Sequence, residues 1–354
     1  MHGSLTTIGA GPQFIKARVV TRAIQLTEGI EEILLHAGNH FDVNMSKFVF
    51  NQLGIPKPDI QLNIHGGSHD EVTGRILTEV AQALLEHTPD RVYGDTNSIL
   101  ADALASSKLH VPVAHVEASL RSYNKQMDEE VNLILTDQIS ALLVPTTTAV
   151  KNLEIECFRA KPIRVLQAGD VMQGAALLFT RNAFAPAYNQ LTKDFLLATL
   201  HQAKNAFNPK RLANIIHALN EIHLNQILVV LPFHFPTMRL IAQQGLELDV
   251  HLIELLGFFE MVWLIDRCQL ALTDSEGLQK EAFLFDKACV TMHCETEWVE
   301  LIEVSANELV RADRQKIEKA AARNAGGSVK DRDQLYGGGQ AAQRIVKEIE
   351  KANS

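Results

Sequence analysis

The chain has 354 residues, well above the size at which a single hydrophobic core usually divides, so its length predicts two domains. Its composition, 46% hydrophobic and 21% charged, is typical of a folded globular protein, and no apolar run approaches the roughly 20 residues that a membrane helix needs. The formal net charge of −9 argues against binding to nucleic acid or to an anionic membrane surface, because both need a basic field.

In the first half of the chain, short apolar runs alternate with amphipathic segments. The predicted strands are LTTIG, EILLHAG, RVYGD, VPVAHVE, ALLVP and IRVLQAGD. Apolar residues at helical spacing lie between them, as in GRILTEVAQALLEH and TNSILADALASSKL. This alternation predicts βαβ units that build a parallel sheet.

The second half repeats this rhythm. Its predicted strands are DFLLATLH, QILVVLPFH, DVHLIELLG, QLALTDS and ACVTM, with helical segments such as RLANIIHALNEIH between them. Two such series predict an α/β protein with two doubly wound, Rossmann-like domains. We expect an N-terminal domain over residues 1–170 and a C-terminal domain over residues 171–336. A last helix, within residues 337–354, is expected to pack back onto the N-terminal domain.

The cysteines bear on the compartment and on metal binding. Cys157, Cys268, Cys289 and Cys294 form no CxxC pair, and the first residues lack the apolar core of a signal peptide, so a reducing cytoplasm is expected. Cys289, His293 and Cys294 are close in sequence, but thiols in a strand-like run usually only pack. We therefore predict no metal site.

Ionisable side chains follow six of the predicted strands. They are Asp95, Glu117, Asp170, His201, His234 and Asp274. In open parallel sheets the ligand crevice lies beyond the carboxyl ends of the strands. Each residue alone could be an ordinary helix cap, which is worth about 1 kcal/mol. Together they favour an active cleft formed by two domains.

Two glycine-containing turns could hold phosphate. TDSEGLQKEA would present the Ser275 hydroxyl and the backbone near Gly277 at a helix N-terminus, and GAGPQFIK places Lys16 one turn into a helix. Neither turn matches the six-residue dinucleotide fingerprint, so nicotinamide chemistry is disfavoured.

Motifs along the whole chain point to one family. In order they are TIGAGPQFIKA, HAGNHFDVNMS, VYGDTNS, VAHVEASLRS, MDEEVN, LLATLH, TDSEGLQKEA, ETEWVE and LYGGGQAAQRI, spanning about residues 5–350. They resemble the motifs of the non-hydrolysing UDP-N-acetylglucosamine 2-epimerases. Their form is most similar to the branch that includes the UDP-2,3-diacetamido-glucuronic acid 2-epimerases.

The resemblance implies a fold like that of the GT-B glycosyltransferases, with UDP held in the cleft between two Rossmann-like domains. It also implies a reaction in which a base removes the C2 proton of the sugar while UDP leaves C1, giving a 2-acetamidoglucal. UDP then adds back and a proton returns to the opposite face. The implied substrate is UDP-N-acetylglucosamine, its manno epimer or the 2,3-diacetamido-uronate analogue. The family implies no cofactor and a homodimer.

Individual roles also follow from the resemblance. The acid–base carboxylates would be Asp95, Glu117 and Glu129, with His201 acting on the leaving diphosphate or as a further proton carrier. Substrate-binding positions would be Lys16 near the sugar or phosphate, His234 in the UDP pocket, Ser275 and Gly277 at the diphosphate, and Glu281 at the ribose. Asn39, His40 and Arg75 fall in motifs near a second, regulatory UDP-sugar site.

Several positions depart from the family's motifs. Residues that replace an expected arginine are Gly11, Leu133, Gln202 and His293, and DSGG has become DSEG with Glu276 near the expected diphosphate. Each lost charge-assisted contact is worth about 1.5–3 kcal/mol, and a carboxylate about 4 Å from phosphate costs about 4 kcal/mol at an effective dielectric of 20. Lys204 or His293 could restore positive charge.

These departures leave alternatives to an active epimerase open. One is a catalytically weakened paralogue that still binds UDP-sugars, since helix N-termini can hold phosphate without arginine. Another is a GT-B glycosyltransferase, which shares the architecture.

Overall fold

The computed structural model describes most of the chain, which divides into two compact units. The described residues are 2–9, 11–38, 54, 56–64, 66–94, 97–121, 123, 128–186, 191, 194–254, 256–329 and 335–351. Unit 1 comprises Met1–Ala175 and Asp333–Ser354, and unit 2 comprises Ala176–Arg332.

Each unit contains a fully parallel sheet, seven-stranded in unit 1 and six-stranded in unit 2 among the described residues. The strands of unit 1 are β1 His2–Ile8, β2 Ile30–His36, β3 Ile60–Gln61, β4 Arg91–Gly94, β5 Val113–Val116, β6 Ala141–Val144 and β7 Val165–Gln167. The strands of unit 2 are β8 Phe195–Thr199, β9 Leu228–Pro232, β10 His251–Ile253, β11 Leu270–Thr273, β12 Cys289–Thr291 and β13 Asn307–Leu309.

Helices connect the strands in both units. In chain order they are α1 Gly11–Gln25, α2 His69–His87, α3 Asn97–Lys108, α4 Asp128–Asp137, α5 Thr147–Ile155, α6 Val171–Phe179, α7 Ala203–Ala206, α8 Pro209–Asn225, α9 Phe235–Gln243, α10 Phe258–Arg267, α11 Glu276–Leu284, α12 Val299–Glu303, α13 Arg314–Asn324 and α14 Ala341–Lys351. Two 3₁₀ turns occupy Phe158–Ala160 and Thr180–Asn182. Within the described part of the chain, none of these helices is long and apolar enough to cross a membrane.

The strand orders are β3-β2-β1-β4-β5-β6-β7 and β10-β9-β8-β11-β12-β13, so each sheet is doubly wound. The direction of winding reverses between β1 and β4 in unit 1 and between β8 and β11 in unit 2. Such switch points open a crevice at the carboxyl ends of the strands. The predicted α/β class with two doubly wound, Rossmann-like domains is confirmed.

The central strands are buried on both faces, which explains their nearly continuous apolar runs. Phe195 and Leu197 of β8 pack on one face with α10, whereas Leu196 and Ala198 pack on the other face with α8 and α13. Successive side chains of a strand point to opposite faces, so a strand covered on both sides needs apolar residues at every position. Helical crossovers cover the two faces.

The C-terminal helix belongs to unit 1. Ile345 and Ile349 of α14 pack against Val20 and Ile24 of α1 in one buried cluster. The backbone at Tyr336, ahead of this helix, packs closely against Gly169, which follows β7. There φ is 95° and an added Cβ would lie 2.9 Å from the carbonyl oxygen of Tyr336, so the contact needs glycine.

Candidate active site

In unit 1 the acidic stretch after β5 begins with a buried ion pair. Glu117 adopts the left-handed backbone conformation, with φ of 55°. Its Oε2 atom lies 2.6 Å from the ammonium of Lys16 in α1, and the two side chains are only 4% and 13% exposed. Coulombic attraction between such groups is little screened by solvent. The structure thus joins two predicted site residues from separate motifs.

A side chain in the first turn of α1 binds the backbone just after β1. Gln13 is buried, and its Oε1 atom accepts a hydrogen bond from the Gly9 N–H. Gly11 is the first residue of α1, whose first turn contains no acidic residue. This helix N-terminus is therefore suited to an anion, even though arginine is absent from the turn.

Other predicted residues of unit 1 have different outcomes. Asp95, Asn39 and His40 lie outside the described residues. Glu129 lies in the first turn of α4, but its side chain is outside the described part. Asp170 Oδ1 accepts the Met172 N–H at 2.7 Å, so this carboxylate supports the start of α6, as an ordinary cap does.

In unit 2, residues that follow β8, β9 and β11 come together. The rings of His201 and His234 lie 5.7 Å apart, centroid to centroid. Asp274 Oδ1 accepts the His201 N–H at 3.0 Å, and Oδ2 accepts the Gln202 N–H at 3.1 Å and Asn205 Nδ2 at 3.1 Å. Asp274 is buried, and these three hydrogen bonds hold the turn that carries His201 in place.

The tautomer of His234 follows from its hydrogen bonds. The Thr237 hydroxyl donates to the Leu200 carbonyl oxygen at 2.8 Å, so it can only accept from His234 Nδ1, also at 2.8 Å. The proton then sits on Nδ1, and Nε2 is left as an acceptor. Burial, and to a smaller extent the neighbouring His201, lower the pKa of His234, which favours a neutral ring at pH 7.

The start of α11 has the features of an anion site. Ser275 precedes the helix, but its hydroxyl makes no capping hydrogen bond, and its N–H donates to Thr273 Oγ1 at 2.9 Å. Gly277 is exposed, and an added Cβ there would meet only the Ser275 hydroxyl, at 3.9 Å. The first N–H groups of a helix need partners, and a diphosphate can provide them.

Comparisons with known proteins identify the family. The family model described as UDP-N-acetylglucosamine 2-epimerase matches residues 22–350. The chain is 53% identical over 350 residues to the UDP-2,3-diacetamido-2,3-dideoxy-D-glucuronate 2-epimerase of Pseudomonas aeruginosa, covering 98% of this chain and 99% of that protein. The chain belongs to the UDP-N-acetylglucosamine 2-epimerase family.

Further relatives agree with this membership. The chain is 35% identical over 357 residues to the UDP-N-acetylglucosamine 2-epimerase of Methanocaldococcus jannaschii, with 96% of each protein covered. The crystal structure of that archaeal epimerase in complex with UDP-GlcNAc and UDP matches with a TM-score of 0.85 and 33% identity, over 99% of this chain and 100% of that chain. The resemblance predicted from the motifs is confirmed.

Around α11, a tryptophan from the ETEWVE motif of this epimerase-family chain supports the candidate anion site. Trp298 Nε1 donates to the Glu276 carbonyl oxygen at 3.0 Å, and the Lys280 ammonium lies 4.4 Å from the centroid of the indole ring. Gln279 Oε1 accepts from Thr296 Oγ1 at 2.7 Å. Sequence reasoning assigned no role to these residues, although the motif itself was noticed.

Glu281, the predicted ribose contact, lies in α11 and is half-buried. Burial raises the pKa of Glu281 to about 7, and the charge of Lys280 opposes this shift only in part. A carboxyl that is partly protonated near pH 7 can donate as well as accept a hydrogen bond, which suits a hydroxyl partner.

The two side chains that could compensate for the family's arginines, Lys204 and His293, have partners within unit 2. Lys204 Nζ lies 3.0 Å from Glu295 Oε1, with both side chains half-exposed. His293 is buried, and its Nδ1 lies 3.1 Å from the Glu295 carbonyl oxygen. Cys294 Sγ accepts from Arg211 Nη1 at 3.4 Å. Among the described residues, no group of three His, Cys, Asp or Glu side chains is arranged to hold a metal ion.

Arg75, predicted to lie near a regulatory site, contributes to a cavity of about 690 Å³ in unit 1. Its guanidinium donates to the carbonyl oxygens of Gly66 and Glu71. The side chains of Glu71 and Glu79 also line the cavity, which gives it mixed charge.

Proposed function

We propose that this chain is a UDP-sugar 2-epimerase acting on UDP-2,3-diacetamido-2,3-dideoxy-D-glucuronate in preference to UDP-N-acetylglucosamine. The observation that carries this proposal is the buried Glu117 carboxylate, 2.6 Å from the Lys16 ammonium, just beyond a central strand of a chain in this family. The substrate preference is supported by 53% identity to the Pseudomonas uronate epimerase, against 35% to the archaeal UDP-N-acetylglucosamine epimerase.

The acid–base groups would come from unit 1. The neighbouring ammonium favours the carboxylate form of Glu117, which is the form that accepts a proton. We assign Glu117, Asp95 and Glu129 to proton transfer at C2. One of them takes the C2 proton as the C1–O bond to UDP breaks, which leaves a double bond between C1 and C2. Inversion needs another carrier to return a proton to the opposite face as UDP adds back at C1.

The nucleotide would be held by unit 2. We assign the diphosphate to Ser275, Gly277 and the N-terminal N–H groups of α11, because a helix N-terminus stabilises negative charge. His201 would stabilise the leaving diphosphate, and His234 would offer its free Nε2 to the uridine. Glu281 would contact the ribose hydroxyls.

We further propose that the enzyme is a cytoplasmic homodimer. Val131 and Leu135, four residues apart on α4, are exposed together with Ile139 just beyond the helix, so they form an apolar stripe. A second copy would remove this surface from water. The unpaired thiols of Cys157 and Cys294, neither of them buried, suit a reducing compartment. The cavity beside Arg75 is proposed, with Asn39 and His40, as a regulatory UDP-sugar site.

The test is incubation of the protein with each UDP-sugar in D₂O. We expect deuterium at C2 and formation of the manno epimer, faster with the diacetamido-uronate than with UDP-N-acetylglucosamine. The variant Glu117→Gln, which keeps the shape but cannot accept the proton, should show neither. Absence of deuterium and of epimer with both substrates would refute the epimerase. A faster reaction with UDP-N-acetylglucosamine would refute the substrate preference alone.

A further inference from the structure

A buried charge network follows Glu117 in the chain. The Arg121 guanidinium, whose side chain has no exposed surface, donates from Nη2 to Asp137 Oδ2 at 2.6 Å. Its Nε donates to Glu156 Oε1 at 2.7 Å, and Nη2 also donates to Glu156 Oε2 at 3.0 Å. Asp137 Oδ1 lies 2.8 Å from Nδ1 of His115, which is fully buried in β5. Arg121 therefore links the ends of α4, α5 and β5.

Residues 117–121 and 123, here termed the Glu117 loop, have a second connection to α4. The Tyr123 N–H donates to Glu130 Oε1, in the first turn of α4, at 3.2 Å. The Tyr123 hydroxyl donates to Asn152 Oδ1 at 2.9 Å, which adds a contact to α5. Glu130 and Asp137 are the first-turn and last residues of the same helix. Both ends of α4 thus hold the loop.

The contacts of this network keep the Arg121 guanidinium charged and fix its orientation. Burial by itself would lower the pKa of Arg121, but the hydrogen bonds and charges of Glu156 and Asp137 outweigh burial and raise it. The planar guanidinium satisfies two carboxylates at once, which the compact ammonium of a lysine cannot do with the same geometry. Glu117 and Tyr123 both have positive φ, a conformation that persists only where the surroundings enforce it.

We propose that Arg121 is a positioning residue for the epimerisation: with Asp137 and Glu156 it fixes the Glu117 carboxylate relative to helix α4, whose first turn carries Glu129. This inference rests on the proposed function, in which both carboxylates transfer protons at C2. A misplacement of a reacting group by about 1 Å can cost about 100-fold in rate. The loss should appear in kcat and spare KM, because the nucleotide contacts are assigned to unit 2.

The experiment compares full-length Arg121→Lys and Glu156→Gln with the parent protein. Arg159→Lys is the matched control, because Arg159 forms an exposed ion pair with Glu154 in the same region. For each protein, kcat, KM and deuterium incorporation at C2 are measured with the diacetamido-uronate substrate, and the Kd of UDP is measured by calorimetry. We expect kcat and deuterium incorporation to fall about 100-fold in Arg121→Lys and about tenfold in Glu156→Gln, with KM and Kd within about twofold.

Each outcome decides the matter. Retention of the parent's kcat within about twofold in both variants overturns the inference. A fall in kcat that comes only with an equal loss of UDP affinity also overturns it, because Arg121 would then merely hold the fold. An inactive parent would remove the proposed function and this inference together, whereas an active parent with active variants removes the inference alone.

Discussion

The burial of the Asp102 carboxyl predicts a specific dependence of the stability of the protein on pH. It lies in α3 with no exposed surface, and neither carboxylate oxygen has a hydrogen-bond partner of good geometry in the described part of the chain. Burial raises the pKa of Asp102 from 3.8 to about 7, and the nearby Thr7 hydroxyl opposes this shift only weakly. The native state therefore holds this carboxyl in its neutral form at mildly acidic pH.

The sign and size of the effect follow from linkage. A raised native pKa stabilises the fold fully below about pH 4, and that contribution is lost as pH rises through about 7. Each pH unit between 3.8 and about 7 is worth about 1.4 kcal/mol, so the total is about 4 kcal/mol. Asp102→Asn cannot ionise, so it should match the parent near pH 4 and exceed its free energy of unfolding by up to about 4 kcal/mol above pH 8.

The assay is urea unfolding of both proteins between pH 4 and 9. Hydrogen exchange of the α3 amides monitors the unfolding. Trp263 and Trp298 are the only tryptophans in the chain and both belong to unit 2, so the exchange of the α3 amides, and not tryptophan fluorescence, reports directly on unit 1. Asp249→Asn, at an exposed position, is the matched substitution and should give a constant difference from the parent. Parallel curves for Asp102→Asn and the parent would refute the reasoning.

The remaining predictions concern the two candidate site regions. Ser119 has φ of 68° and a buried hydroxyl without a partner in the described residues, so Ser119→Gly should raise the free energy of unfolding by about 1–2 kcal/mol in urea titrations. Glu276→Gly should tighten UDP binding about tenfold at low salt, and less at high salt, in calorimetry. Lys16→Met should lower kcat about 100-fold, because it removes the ammonium that lies 2.6 Å from the Glu117 carboxylate; a kcat within about twofold of the parent would contradict this.

The sequence predicts strands well where both faces are buried. Every predicted apolar run overlaps an observed strand, and in strands such as β5, β8 and β11 burial on two faces explains the continuous apolar signal. Ile60–Gln61 and Asn307–Leu309 were not predicted. These segments have two and three residues and lie at or near the sheet edges, where they pair with β2 and β12. Their conformation comes from the neighbouring strand and not from their own side chains.

The type of residue that follows a strand does not by itself predict the role of its side chain. Glu117, Asp170 and Asp274 all follow strands, yet the first forms an ion pair, the second supports a helix start and the third holds the His201 turn. A carboxylate accepts hydrogen bonds from whichever donors the following loop places near it. The conformation of that loop depends on tertiary contacts and not only on the neighbouring residues in the sequence. The pairing of Lys16 with Glu117 likewise depends on the sheet order that brings the start of α1 close to the end of β5.

The departures from the family's arginines have a consequence for phosphate binding. Lys204 is paired with Glu295, and His293 hydrogen-bonds within the same segment, so neither side chain is held toward α11 by these contacts. In the proposed function, the positive potential that unit 2 offers to the diphosphate would then come largely from the backbone N–H groups at the start of α11. That helix carries Glu276 in its first turn, whereas α1 of unit 1 carries no acidic residue there. Binding through fixed backbone dipoles needs no side-chain ordering, so we expect the loss of the arginines to weaken diphosphate binding at the proposed site without abolishing it.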